Sequence, residues 1–590
     1  MRKALPRGTI RGASLLLVAL VLFDCAVFAA SPKLSSDLAG ATTLNGQIDV
    51  IVQYRVAPIP EWHQNVVLRG GIFKQEFRSI NAGAYRIPAS ELTELESNPE
   101  VVYVSPDRPV HGTAISSPSP KLDYHTETSN APAAWARGLD GSGIGVAVID
   151  SGIADIPDLH GKKFAVAYSE NFASDRLASG GSADPYGHGS HVAGIIAGSG
   201  SKSSGANYLY TFKGIAPGVN LISLRVLDQN GEGTDSQVIA AIEAAIRLKS
   251  TYNIRVLNLS LGRGVFESYN FDPLCKAVEQ AWAAGIVVVV AAGNEGRNNS
   301  IGTHGYGTIT APGNDPYVIT VGAMNTMGTA DRTDDVPTSY SSKGPTLWDH
   351  VIKPDLVAPG NLTISLYAAN ETLARQLPNN PVPNSAYTKN GNGNHSDTYF
   401  YLSGTSMAAP MVSAAAALIL ENVPSLTPDQ IKARLMKTAF KNLIPAAVAT
   451  DPTTGQTFNL QADIFTVGAG YLDIQAALAG TDLVPRTLGI AMSPKAALDS
   501  KGNVVIIPNG PSVVGTRSSV WGAGPVFGDS VLWGLNLSGQ SILWGTSTLG
   551  GESILWGTSA ASASSILWGT SVLWGTSGTG QENAGQGDVF

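Results

Sequence analysis

Gly145-Val146-Ala147-Val148-Ile149-Asp150-Ser151-Gly152 is an apolar run that ends on a carboxylate and a glycine. No polar residue interrupts it, so it reads as a strand buried on both faces. Arg255–Leu261 reads as another strand, Ile286–Ala292 as a strand with no polar face, and Val318–Ala323 repeats that character. Between them, Ser236–Lys249 and Asp272–Ala284 follow a helical period. Continuous apolar strands alternating with helices predict an α/β fold, a mostly parallel sheet with helices on both faces. A carboxylate at the end of such a strand stands where α/β proteins place their sites.

Two more segments carry chemistry-bearing residues in small-residue surroundings. His188-Gly189-Ser190-His191-Val192-Ala193-Gly194 puts a histidine ahead of a helix of small side chains, able to pack closely. Gly404-Thr405-Ser406-Met407-Ala408-Ala409-Pro410 puts a serine at the start of another. Singly, each has a plain structural explanation. Asp150 would serve as a turn cap, His188 as a core histidine and Ser406 as an N-cap. Their order and strand-and-helix settings, taken together, select a different reading.

The three segments resemble the signature blocks of subtilisin-like serine proteases, in that family's order Asp, His, Ser. The resemblance covers about residues 47–481 and implies a secreted serine endopeptidase working through an acyl-enzyme on Ser406. It implies that His188 is the base and that Asp150 holds the imidazole in the right tautomer. It also assigns Asn294, in Val289-Val290-Ala291-Ala292-Gly293-Asn294-Glu295-Gly296, to the oxyanion hole. Ser260-Leu261-Gly262 matches the strand that pairs with substrate and walls the first specificity pocket, and Ala291-Ala292-Gly293 the opposite wall. Small residues there predict broad, apolar-tolerant cleavage. His191, Asp155, Asp158, His160 and Asp184 read as packing, capping or surface residues. The rival from another class is a non-catalytic scaffold presenting the tail; four filled chemical positions argue against it.

Around this unit the organisation is read as follows. Arg2, Lys3, Arg7 and Arg11 precede the apolar stretch Ala13–Phe23, and Val27-Phe28-Ala29 offers a cleavage site, so residues 1–29 read as a secretory signal peptide. Residues 30–46 read as a linker. Residues 47–106 follow a β-α-β-β-α-β order, a ferredoxin-like split pattern that by resemblance is an inhibitor-type propeptide. Residues 107–130 read as a linker holding the self-cleavage site, 131–481 as the catalytic domain and 482–590 as a tail. That tail repeats Trp-Gly at Trp521, Trp533, Trp544, Trp556, Trp568 and Trp574. It is read as a structural extension or a module for self-association or surface binding.

The remaining expectations concern partners and cofactors. Net charge is −8 and no long basic run occurs, which argues against nucleic-acid binding. The expected partners are protein or peptide substrates and the chain's own propeptide. Besides Cys25, only Cys275 is present, in a helix-like segment that suggests a small buried hydrophobe. No organic cofactor is expected. The resemblance makes structural calcium possible, but Gly198–Asn207, the stretch after the histidine helix, lacks carboxylates, so no metal ligand is assigned.

Overall fold

A computed structural model describes residues 33–38, 46–112, 123–160, 165–175, 183–300, 302–452, 454–481, 483–498, 504–512, 542–544, 554–556 and 588. The expected signal peptide lies outside these residues. Among them, no helix is long and apolar enough to cross a membrane.

The N-terminal unit is built from β1 (Gln47–Tyr54), α1 (Pro60–Leu68), β2 (Ile72–Phe77), β3 (Ala82–Pro88), α2 (Leu92–Ser97) and β4 (Val101–Pro106). The strands form an antiparallel sheet in the order β2-β3-β1-β4, the arrangement expected of the split β-α-β-β-α-β pattern. Val50, Val52, Tyr85, Leu92 and Val104 form its core.

Next comes β5 (Pro109–Gly112), inside the stretch read as a linker. The main unit supplies β6 (Gly145–Asp150), β7 (Val166–Asn171), α3 (His188–Ala197), β8 (Asn220–Arg225), β9 (Glu232–Thr234), α4 (Asp235–Tyr252), β10 (Ile254–Leu259) and β11 (Leu261–Gly262). It continues with α5 (Pro273–Ala283), β12 (Val287–Ala291), β13 (Ile319–Asn325), β14 (Val336–Pro337), β15 (Leu356–Pro359), α6 (Thr405–Asn422) and α7 (Pro428–Thr438). The central sheet runs β14-β13-β12-β10-β6-β8-β7, with β15 also on β13; only β14 is antiparallel. Every residue of β6 and β12 is buried, as the absence of a polar face requires. Thr427 and Gln430 form the capping box read at the start of α7.

Packing contacts cross two of the expected boundaries. Within residues 30–46, Ser35 is fully buried and its hydroxyl donates to Glu267 of the main unit. Past residue 481, Val484, Ile490 and Ala491 join a core cluster with Ile352 and Phe465, and the Ser493 hydroxyl donates to Asp355. The packed body therefore reaches into the stretch read as tail. Composition gives no warning of this, because a short segment packed against a larger body needs no periodicity of its own. Farther on, Ile542–Trp544 and Ile554–Trp556 pair as parallel strands, Trp544 opposite Trp556. One copy of the repeat thus lies in register on the next.

α3 packs so closely on the end of β6 that a Cβ at Gly189 would lie 2.1 Å from the Gly152 carbonyl oxygen. Gly189→Ala should therefore destabilise the fold by about 1–3 kcal/mol through overpacking. Urea unfolding should show a lower midpoint with an unchanged slope.

Candidate active site

The strand β6 delivers Asp150 at its carboxyl end, and α3 begins at His188 beside it. The side chains are fully buried and joined, His188 Nδ1 to Asp150 Oδ1, at 2.7 Å. Burial is the largest influence on His188 and disfavours its cation. The charge and hydrogen bond of Asp150, with a smaller contribution from Asp184, outweigh it and hold the imidazole above its ordinary value near 6.5. Among the described residues, His188 Nε2 has no hydrogen-bond partner.

The start of α3 is fixed from outside. Asp184 accepts the Gly187 and Ser190 amides, each at 2.7 Å, and the Ser190 hydroxyl at 2.7 Å. The sequence reading gave Asp184 a packing or capping role, and capping is what it does. His191, three residues into the helix, is the core histidine expected: its Nε2 bonds the Phe400 carbonyl, and burial pushes its pKa down to about 3. Asp155 and His160 pair with each other at the surface.

Ser406 is the second residue of α6. Its hydroxyl donates to the Ser260 carbonyl at 3.0 Å, and the Ser260 hydroxyl donates back to the Ser406 carbonyl at 2.9 Å. The strand end carrying Ser260 and the helix carrying Ser406 are thereby locked together. Asn294 joins the same place from the β12 side: its Oδ1 accepts the Thr405 amide at 2.9 Å and the Thr405 hydroxyl at 3.1 Å. Thr405 also lies 3.1 Å from the Gly293 amide, which donates to it. Thr405 is a residue the sequence reading passed over, since a threonine beside a candidate serine has no signal of its own.

The segment before the main unit fills the groove between these walls. β5 pairs antiparallel with β11 on one side, Leu261 opposite Gly112 and Gly262 opposite His111, and with β9 on the other. Val110 is fully buried there. Gly112 comes so near His188 that a Cβ on it would lie 3.6 Å from Nδ1. Of the pocket residues expected, Leu261 and Gly262 thus pair with a chain lying in the groove, while Ala291–Gly293 stand at the end of β12 behind Thr310 and Ser342.

Cys275 is fully buried, its Sγ 3.3 Å from Asn314 Oδ1, and burial raises its thiol well above the usual range. It packs as an inert small side chain.

The stretch after α3 does not suit calcium. Asp158 is the carboxylate facing it, and protein donors already serve that carboxylate: the Ser201 hydroxyl at 2.6 Å, the Lys202 amide at 2.8 Å and the Tyr399 hydroxyl at 2.5 Å. Hydrogen-bond donors stand where a calcium site needs oxygen ligands. Among the described residues, no group of three or more His, Cys, Asp or Glu side chains could hold a metal.

His188 should titrate above 6.5 in the NMR spectrum of the intact chain. Asp150→Asn removes the larger of the influences that oppose burial and leaves only the smaller one of Asp184, so the titration should then move down.

Comparison with known proteins agrees with this geometry. The profile of the subtilase family matches residues 141–470. The chain is 37% identical to serine protease AprX of Bacillus subtilis (strain 168) over 61% of its own length and 74% of that protein's. It is 32% identical to subtilisin E of the same organism over 72% of this chain and 92% of that one. The crystal structure of fervidolysin from Fervidobacterium pennivorans superposes with a TM-score of 0.53 at 24% identity, over 78% of this chain and 65% of that one, which bears on the fold alone. The chain belongs to the subtilase family and is a subtilisin-like serine endopeptidase.

Proposed function

We propose that this is a secreted endopeptidase made as a self-processing precursor, with Asp150, His188 and Ser406 as its catalytic triad. The observation that carries the reading is β5, a segment of the chain's own, lying as the middle strand between β11 and β9 and ending against the buried Asp150–His188 pair. A polypeptide held in this way is a substrate chain in position. Antiparallel main-chain pairing gives affinity without demanding particular side chains. That accords with cleavage of proteins in general.

In the proposed reaction Ser406 Oγ swings from the Ser260 carbonyl and attacks the scissile carbonyl carbon. His188 Nε2 takes the hydroxyl proton and returns it to the leaving amine as the C–N bond breaks. Catalytic hydrogen bonds of this kind tighten only when substrate and transition state form. The charge of Asp150 stabilises the imidazolium between the two transfers. The Asn294 side chain and the Ser406 amide, at the start of α6, stabilise the oxyanion. Water then attacks the acyl-enzyme by the same proton route.

The N-terminal unit acts as the intramolecular inhibitor. Its grip rests on one buried ion pair and on part-buried carboxylates that accept serine amides and hydroxyls. Arg108 donates to both oxygens of Glu267, at 2.7 and 2.5 Å. Asp107 accepts the Ser236 amide and hydroxyl at the start of α4, at 2.9 and 2.7 Å. Glu243 accepts the Ser79 amide and hydroxyl, at 2.8 and 2.6 Å. Because β5 ends at Gly112 beside His188, the proposed cut falls shortly after Gly112, inside the stretch 107–130 expected to hold it.

Secretion is proposed from the residue pattern of 1–29. A relative, the extracellular serine proteinase of Thermus sp. (strain Rt41A), is 31% identical over 63% of this chain, which supports it.

Three outcomes test this reading. The wild-type chain should shorten, begin at a residue shortly after Gly112 and digest casein, while Ser406→Ala stays long and inert. Uncut, inactive wild type would sink the proposal. Asn294→Ala should lower kcat by about two to three orders of magnitude with little change in KM, a magnitude established for this donor in subtilisin itself. Arg108→Ala strands Glu267 as an unpaired buried carboxylate. Inhibition of the mature enzyme by the added N-terminal unit should weaken by about two orders of magnitude, the ratio that 3 kcal/mol represents.

A further inference from the structure

Asp588, the third-last residue of the given sequence, is 1% exposed. Its surroundings are specific. Arg297 Nη2 donates to its Oδ1 at 2.8 Å and the Ser339 amide to its Oδ2 at 2.5 Å, and the Ser339 hydroxyl also donates to Oδ1. Asn361 reads the main chain: its Oδ1 accepts the Asp588 amide at 3.0 Å, and its Nδ2 donates to the Asp588 carbonyl at 3.2 Å.

The receiving groups are built into the enzyme. Ser339 is fully buried and Asn361 is 4% exposed. Arg297 Nε donates to the Ser339 hydroxyl at 2.7 Å, its Nη1 lies 3.2 Å from Asp451, and its guanidinium rests over the Tyr340 and Phe458 rings. A guanidinium braced on four sides loses little freedom on meeting a carboxylate.

We infer that Arg297, Ser339 and Asn361 form a receptor for an aspartyl residue of a peptide, and that its occupant is Asp588 of the same chain. The amide–main-chain pairing fixes the distance from backbone to carboxylate. Glutamate, one methylene longer, cannot satisfy both ends at once. The receptor adjoins the catalytic loops. Arg297 lies three residues after Asn294, and the Gly296 amide donates to the Tyr340 carbonyl at 2.8 Å. Asn361 follows Gly360, whose carbonyl accepts the Gly404 amide at 2.8 Å, two residues before Ser406. The end of the repeat tail is thus clipped to the loops that present Asn294 and Ser406.

The inference does not depend on the protease mechanism and is tested in its absence. Full chains carrying Ser406→Ala, alone or with Asp588→Ala or Asp588→Glu, are compared by amide hydrogen exchange. The Ser339 amide should exchange at least tenfold faster in both double variants, with the melting temperature unchanged. A labelled peptide of the last ten residues, Gln581–Phe590, should bind the Ser406→Ala/Asp588→Ala chain at least tenfold more tightly than the Ser406→Ala chain, whose receptor is filled. Replacing its aspartate by alanine, or Arg297 by alanine in the chain, should abolish that binding. Equal exchange at Ser339 in all three chains, or equal binding of the aspartate and alanine peptides, overturns the proposal.

Discussion

The arrangement depends on the contact between Asp150 and His188, a carboxylate–imidazole pair whose side chains have no exposure to water. A buried carboxylate is costly unless hydrogen bonds surround it, and here the partner is the imidazole, with the Ser151 amide also donating to Oδ1 at 2.7 Å. Holding that pair requires α3 to approach the end of β6 at backbone distance, which the absence of a side chain at Gly189 permits. The parallel sheet in turn brings β6, β10 and β12 to the same edge. Ser260 and Asn294, which follow β10 and β12 in the chain, then converge with the start of α6. The site is a consequence of one edge of a sheet whose faces are both covered.

Much of this was legible in the residues. Unbroken apolar runs such as Ile286–Ala292 name a doubly covered strand with little ambiguity, and the three small-residue blocks name their own neighbours. The capping box at Thr427 was equally clear, because its chemistry is local. What escaped the sequence is what long-range partners decide. Nothing in Pro109–Gly112 marks a strand, since its hydrogen bonds come from segments over a hundred residues away in the chain. Ser35 and Ser493 read as linker and tail residues until Glu267 and Asp355 bury them. Thr405 bridges Gly293 and Asn294, a role a hydroxyl acquires only from its surroundings.

The buried charges divide into two kinds. Lys353 and Lys432 both reach Asp355, inside the main unit, and serve the fold. The Arg108–Glu267 pair crosses from the N-terminal unit to the main unit, joined by Arg263 with Asp235 and Asp272 just behind. Pairs of the second kind give an interface directional specificity at modest net affinity, because desolvation offsets much of the attraction. On the proposed reading the N-terminal unit must eventually leave, and a partner of that kind is well held by such contacts, whereas a large apolar seam would make departure slow beyond use.

The antiparallel seating of β5 has a further consequence. On the proposed reading, the cut creates a new chain end without breaking any of the hydrogen bonds that hold the strand. The first turnover therefore yields an enzyme occupied by its own product. The waiting time before activity appears is then set by dissociation and destruction of that fragment, not by bond breaking. The first molecules to free themselves would degrade the fragments of the rest, so a population would switch on with a lag and then abruptly.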